Sequence, residues 1–201
     1  MQRETARELL QAKGSTRFYR HGRGVERTAF LLAKKYGIDA EKAAFAGLMH
    51  DYGKLYNEEE LLRLARKHGI PVNPVMVQEP ALLHAPVGAW LLEHELGLQD
   101  REMLDAVRHH TTGAAEMSML SRIVYLADFI EPGRRFKGVK EVRELAFSRK
   151  QLEKALLTAV EMTIHNVMQK GKLLHEASID FRNSLILSLR EKELEGSHGE
   201  G

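Results

Sequence analysis

The stretch GLMHDYGK, residues 47–54, decides how this chain is read, because it sets His50 and Asp51 side by side where a buried helix is expected. On a helix running through it, positions 43, 46, 47, 50, 51 and 54 form one stripe. Ala43, Ala46 and Gly47 are small and apolar; His50, Asp51 and Lys54 then turn the core-facing side polar. A buried carboxylate without a partner is costly, and it escapes by taking up a proton or by finding a cation.

The same inversion recurs along the chain. His21 shares a stripe with Val25, Ala29 and Leu32; Asp128 follows Leu120, Val124 and Ala127; His110 follows Met103 and Val107. Taken singly, a core-facing histidine is explained by a hydrogen bond to a carbonyl, and an aspartate near a helix end by a cap or an ion pair. An adjacent His-Asp pair, with His21 upstream and Asp128 on a later apolar helix, reads instead as a divalent-metal site. Imidazole nitrogen and carboxylate oxygen together suit iron, manganese, zinc, nickel or cobalt.

The surrounding pattern is helical throughout. Gly37 closes a run ending in Lys34 and Lys35, and Asp39 stands where an N-cap opens the next helix, with Glu41 in its first turn. Similar breaks fall at Gly69 with Pro71, at Gly97 before Asp100, and at Gly113 before Ser118. Ser148 with Gln151 reads as a capping box, and Gly171 ends the run that follows. Apolar residues recur at three and four, as in Leu152, Leu156, Ala159, Val160, Thr163 and Val167. No strand-length alternation and no repeat interrupts this, so the expected fold is an all-α helical bundle. Residues 1–13 read as a short leading helix. Residues 1–190 read as a single domain with its core over about 15–185, and residues 191–201, EKELEGSHGEG, as a frayed, flexible tail.

Composition narrows the chemistry. The 201 residues carry 30 basic and 28 acidic side chains, a net charge of +2, so nothing global favours nucleic acid or an anionic membrane. With no cysteine there is no disulfide, no thiolate zinc site and no thiol nucleophile, which leaves imidazole and carboxylate as metal ligands. The N-terminus, MQRETARELLQAKG, is charged and lacks the apolar stretch of a secretion signal. No run approaches the roughly 18 apolar residues of a membrane span, and a soluble, cytoplasmic protein is expected.

In their order along the chain, His21, His50, Asp51 and Asp128 resemble the H…HD…D signature of the HD superfamily of metal-dependent phosphohydrolases. Within that superfamily, HGRGV (21–25), AGLMHDYGK (46–54), HAPVGA (84–89), HHTTGAAEMSML (109–120) and YLADFIEPGR (125–134) resemble the symmetrical bis(5′-nucleosyl)-tetraphosphatases. The likeness covers roughly residues 15–185, running through FKGVKEVRELA (136–146) toward FRN (181–183). The resemblance implies an HD-domain bundle holding two divalent metal ions, iron by family expectation. It implies that His21, His50, Asp51 and Asp128 hold one metal, that His84 and His110 hold the second, and that Asp51 bridges both. Spacing alone leaves His109 or His110 open; the family's histidine directly precedes TTG, which selects His110. His68, His94, His165 and His175 match none of these stretches, and surface or ordinary core roles suffice for them.

The implied reaction is metal-dependent hydrolysis of a dinucleoside tetraphosphate such as diadenosine tetraphosphate, cut symmetrically into two nucleoside diphosphates. The alternatives are a broader HD phosphohydrolase acting on mononucleotides or cyclic nucleotides, and a non-catalytic nucleotide or metal sensor. Asp51 and Lys54 are the expected catalytic residues, with His21, His110, Thr111, Thr112, Gly113, Arg134 and Asn183 also expected to contact substrate. Such a substrate carries about four negative charges, so cationic side chains should flank the site. Lys54 lies one turn beyond His50, and Arg134, Arg135 and Lys137 follow Asp128; a solvated basic edge is the bland reading of that cluster. In HTTG, the hydroxyls and Gly113 would let backbone donors approach a phosphate, though a plain C-cap explains Gly113 equally well. Asn183, beside Arg182, resembles a family position near the nucleotide, and a helix-surface role is as good an account. A homodimer is compatible with the sequence. Two positions depart from the family pattern. Phe18 stands three residues before His21 where an arginine is expected, leaving Arg17, Arg20 or Arg23 to replace it, and Gly53 stands where alanine is more usual.

Overall fold

A computed structural model describes residues 2–198, and among these every regular element is helical. In chain order the α-helices are α1 (Arg3–Lys13), α2 (Thr16–Tyr36), α3 (Ala40–Met49), α4 (Glu58–Lys67), α5 (Pro74–Gln78), α6 (His84–His94), α7 (Arg101–His109), α8 (Met119–Ile130), α9 (Val139–Arg143), α10 (Leu152–Gln169) and α11 (Glu176–His198). Short 3-10 turns at Tyr52–Leu55 and Pro80–Leu83 and a π-turn at Glu144–Ser148 join some of them. No helix among the described residues is long and apolar enough to cross a membrane.

Several helix starts follow from local chemistry. The side chain of Asp39 accepts from the amides of Glu41 and Lys42, that of Asp100 from Met103, and that of Ser118 from Ser121. Each satisfies amides that the first helical turn leaves without a partner. The capping box expected at Ser148 does not form. Ser148 ends the π-turn, α10 starts after Gln151 with no side-chain cap, and Lys150 takes the left-handed conformation (φ 54°) between them. α11 runs as helix through Glu191–His198, where the sequence suggested a tail, and residues 199–201 lie outside the described residues.

Two hydrophobic cores meet at α3, which is buried continuously from Ala43 to Met49. Ala43 and Ala46 join Val25 and Ala29 of α2, Leu120 and Val124 of α8, and Leu156 of α10 in one core. Phe45, Leu48 and Met49 join Leu10 of α1, Leu61 of α4, Leu91 of α6 and Val107 of α7 in the other. Gly47 permits the α2–α3 contact to be close, since a Cβ there would lie 3.0 Å from the Ala29 Cβ and 3.2 Å from the Val25 carbonyl oxygen.

The continuous helix expected through residue 54 is interrupted. α3 ends at Met49, and Asp51 (φ −95°, ψ 12°) leads into the 3-10 turn Tyr52–Leu55. The reason lies at Gly53, whose added Cβ would fall 2.1 Å from the His84 carbonyl oxygen. The turn lets the main chain press against the start of α6, which a straight helix would not.

Gly113 follows α7 with φ +70°, and a Cβ there would lie 2.4 Å from the ring of fully buried Phe181 of α11. Gly113→Ala should therefore combine backbone strain with overpacking and lower stability by roughly 1–3 kcal/mol. Urea denaturation of the two proteins checks this, and an unchanged midpoint contradicts it.

Candidate metal centre

Five helices or their ends deliver the polar residues that the apolar stripes left unexplained. His21 comes from the first half of α2, His50 and Asp51 follow α3, His84 opens α6, His110 caps α7, and Asp128 lies in the last turn of α8. Their inward-facing atoms converge around the carboxylate of Asp51. Oδ2 of Asp51 is 3.4 Å from His50 Nε2 and 3.6 Å from His21 Nε2, and Oδ1 is 3.3 Å from His84 Nε2 and 3.2 Å from His110 Nε2. Asp128 Oδ1 completes the first group, 3.0 Å from His21 Nε2 and 3.7 Å from His50 Nε2. His110, and not His109, presents its ring to this centre.

The far side of each ring sets its tautomer. His50 Nδ1 lies 2.7 Å from the Gly47 carbonyl, His84 Nδ1 2.5 Å from Ala81, and His110 Nδ1 2.7 Å from Val107. A carbonyl only accepts, so each Nδ1 carries the proton and each Nε2 turns its lone pair inward. His21 Nδ1 faces a carboxylate instead, 3.2 Å from Glu131 Oε1.

Those lone pairs face one another. Nε2 of His84 and Nε2 of His110 are 3.0 Å apart, and Nε2 of His21 and Nε2 of His50 are 3.3 Å apart. Asp51 Oδ1 is buried without a hydrogen-bond donor. A proton on either neighbouring Nε2 would make a buried imidazolium, and burial pushes His84 and His110 below their ordinary range against the pull of Asp51. Asp128 is held below the usual carboxylate range, where His21 and Arg134 outweigh the opposing effect of burial. An ionised carboxylate amid neutral imidazole lone pairs is the donor set of a divalent cation, and these residues fit one.

Cations from the protein approach from one edge. Lys54 Nζ donates to Asp51 Oδ2 at 2.8 Å, and Arg134 donates to Asp128 Oδ1 at 2.5 Å and to the Asp128 carbonyl at 3.0 Å. Thr111 Oγ1 sits 3.0 Å from both His84 Nε2 and His110 Nε2.

The other residues expected at the substrate make contacts within the chain. Thr112 is engaged in the turn, its carbonyl accepting from Ser178. Gly113 follows α7 in the left-handed conformation, its amide donating to the His109 carbonyl, and packs on Phe181. Asn183 is exposed on α11, beside Arg182, and lines neither cavity that reaches the centre. Arg17, Arg20 and Arg23 all line one of those cavities, with Arg23 paired to Glu26. Glu131 drew no attention in the sequence, although it lies three residues beyond Asp128. It is buried, orients His21, and is itself held by the Gly133 amide at 2.5 Å. Gly53 likewise proves to be a contact point rather than an incidental change.

The HD domain family matches residues 18–133 of this chain. The chain is 39% identical over 172 residues to the symmetrical bis(5′-nucleosyl)-tetraphosphatase of Bacillus subtilis (strain 168), covering 86% of this chain and 91% of that protein. It is 32% identical over 180 residues to the enzyme of the same name from Staphylococcus aureus, covering 90% and 92%. A crystal structure from Clostridium acetobutylicum, described as a predicted HD superfamily hydrolase involved in NAD metabolism, superposes with a TM-score of 0.87 at 38% identity, covering 92% of this chain and 97% of the other. With the ordered His and Asp residues gathered at one point on a helical bundle, and the family match extending over more than half its length, the chain belongs to the HD domain family.

Proposed function

We propose that this protein is a metal-dependent hydrolase that cleaves dinucleoside tetraphosphates at the midpoint, converting diadenosine tetraphosphate into two molecules of ADP. The observation that carries the reading is the division of the Asp51 carboxylate between two imidazole pairs, in a chain similar over most of its length to enzymes bearing that name. On this reading His21, His50, Asp51 and Asp128 hold one divalent cation and Asp51, His84 and His110 a second. Iron is the expected metal, with manganese, nickel, zinc and cobalt compatible with the same donors. Bound there, two divalent cations supply Lewis acidity toward phosphoryl oxygens and ease the deprotonation of water.

The chain's own residues do the rest. Lys54 and Arg134 hold positive charge at the edge of the centre, where the phosphate chain must pass and where charge grows during cleavage. Glu131 and the three carbonyls fix the imidazoles, so no ring has to turn as substrate binds. Water adds to one of the two central phosphorus atoms, the bond from that atom to the bridging oxygen breaks, and the bridging oxygen leaves with the second nucleoside diphosphate. No protein nucleophile is required.

Incubation of metal-loaded protein with diadenosine tetraphosphate, followed by chromatography, tests the proposal: ADP alone is expected, and ATP with AMP rejects it. Asp51→Ala should lose both metals and all turnover, read by metal analysis beside kinetics. His84→Ala should lower metal content from about two per chain to about one while the helical signal persists. Lys54→Ala should keep its metal and lose about tenfold or more in kcat/KM, the value of a charged hydrogen bond.

A further inference from the structure

One of the four imidazoles is backed differently from the rest. His50, His84 and His110 point Nδ1 at neutral carbonyls, whereas His21 Nδ1 lies 3.2 Å from the carboxylate of Glu131. The chain builds a seat for that carboxylate. Its Oε2 accepts from the Gly133 amide at 2.5 Å. Two glycines clear the space around it, since a Cβ on Gly24 of α2 would fall 2.5 Å from Oε2 and one on Gly133 2.7 Å from Oε1. Arg143 of α9 donates to the carbonyls of Ile130, Glu131 and Arg134, each at 2.8 Å, which fixes the main chain on both sides of the residue.

Charge makes this placement matter. The two carboxylate oxygens that face His21 and His50 are each already paired with a cation of the chain: Asp51 Oδ2 with Lys54 at 2.8 Å, and Asp128 Oδ1 with Arg134 at 2.5 Å. Each pair is close to neutral as a unit. Glu131 is not so compensated, because among the described residues no lysine or arginine nitrogen approaches it closer than Arg134 Nε at 4.0 Å. It is buried, so its charge is weakly screened, and it acts on the inward-facing Nε2 of His21 through a single ring. The opposite end of the centre has no counterpart among the described residues. There Asp51 Oδ1 faces His84 and His110, the groups behind both rings are carbonyls, and Thr111 adds a neutral hydroxyl.

Resting on the two-metal reading above, we propose that Glu131 is a positioning residue that makes the two metal positions unequal. It tightens the position of His21, His50, Asp51 and Asp128, and leaves the one between His84 and His110 as the position that exchanges. A carboxylate behind an imidazole fixes the ring and makes its free nitrogen a stronger donor, an effect that carbonyls supply more weakly. The tighter position also has two aspartates around it, against the single shared one at the other end. At limiting metal the chain therefore holds one ion, and turnover follows the filling of the His84–His110 position.

The test is equilibrium dialysis of the manganese-loaded full chain against buffers of falling free manganese, with bound ion counted per chain. The wild type should lose its two ions in separate steps. Glu131→Gln keeps the size of the side chain and removes its charge; it should raise the Kd of the tighter step about 10- to 100-fold and leave the weaker one unchanged, so that the steps draw together. In the His84→Ala background, which retains the tighter position alone, the same substitution should weaken the single remaining step by the same factor. A Kd for the tighter step equal to that of the wild type overturns the proposal, and so does an equal weakening of both steps. Gly24→Ala, judged by the same two outcomes, decides the matter should Glu131→Gln fail to fold: it favours the helix, keeps the charge and places a Cβ where the carboxylate of Glu131 sits. The wild type judges the two-metal reading separately. One ion per chain at saturation rejects that reading and the proposal with it, whereas two steps with an unmoved tighter Kd in the variant reject the role of Glu131 alone.

Discussion

The structure is organised around one buried carboxylate that its own chain leaves incompletely satisfied. Asp51 Oδ2 has Lys54, but Oδ1 faces two imidazole nitrogens that carry no proton to give. Inside a low-dielectric core such an atom is costly, and so are facing lone pairs. The same cost explains why these groups occur only together. Each histidine is turned by a carbonyl or carboxylate behind it, and each would be poorly placed without a cation in front. The stability sacrificed at this point is the counterpart of a site prepared to bind metal.

The two cores make that convergence possible. From Ala43 to Met49 α3 is buried because it feeds both; it packs on α2, α7 and α8, and the turn that follows it meets α6. Gly47 and Gly53 bracket the His-Asp pair and serve the same purpose in different directions. Gly47 lets α2 close on α3, in the turn that brings His21 toward His50; Gly53 lets the turn after Asp51 press against the backbone of His84. The break in the helix at Met49 belongs to this arrangement. Had α3 continued, the main chain at residue 53 would not meet the start of α6, and the second imidazole pair would have no carboxylate to face.

Charge at the centre is handled locally, as the small net charge requires. Lys54 and Arg134 stand on the two aspartates from the side shared by both cavities, and the arginines of α2 line one cavity alone. An anionic ligand entering from either side would meet cations before it met the carboxylates. Arg134 is further fixed by its second bond to the Asp128 carbonyl, and Arg143 donates to the Arg134 carbonyl, so the loop after α8 is tied down at the point where it forms the wall.

By itself the sequence determined the helical class, the caps at Asp39, Asp100 and Ser118, and which polar residues lay on apolar faces. Those features rest on hydrogen bonds and side-chain periodicity within a few residues, and so they are legible without a fold. The ordered His and Asp residues were legible for the same reason, since a charge on a core-facing stripe is a local contradiction. Only the tertiary structure decided which oxygen of Asp51 each histidine faces, that Glu131 stands behind His21, that Gly113 packs on Phe181 and that Asn183 is exposed on α11. These depend on contacts between residues distant along the chain, set by how two cores pack against α3. The missing capping box belongs with them, because the π-turn that ends at Ser148 displaced the local cap signal.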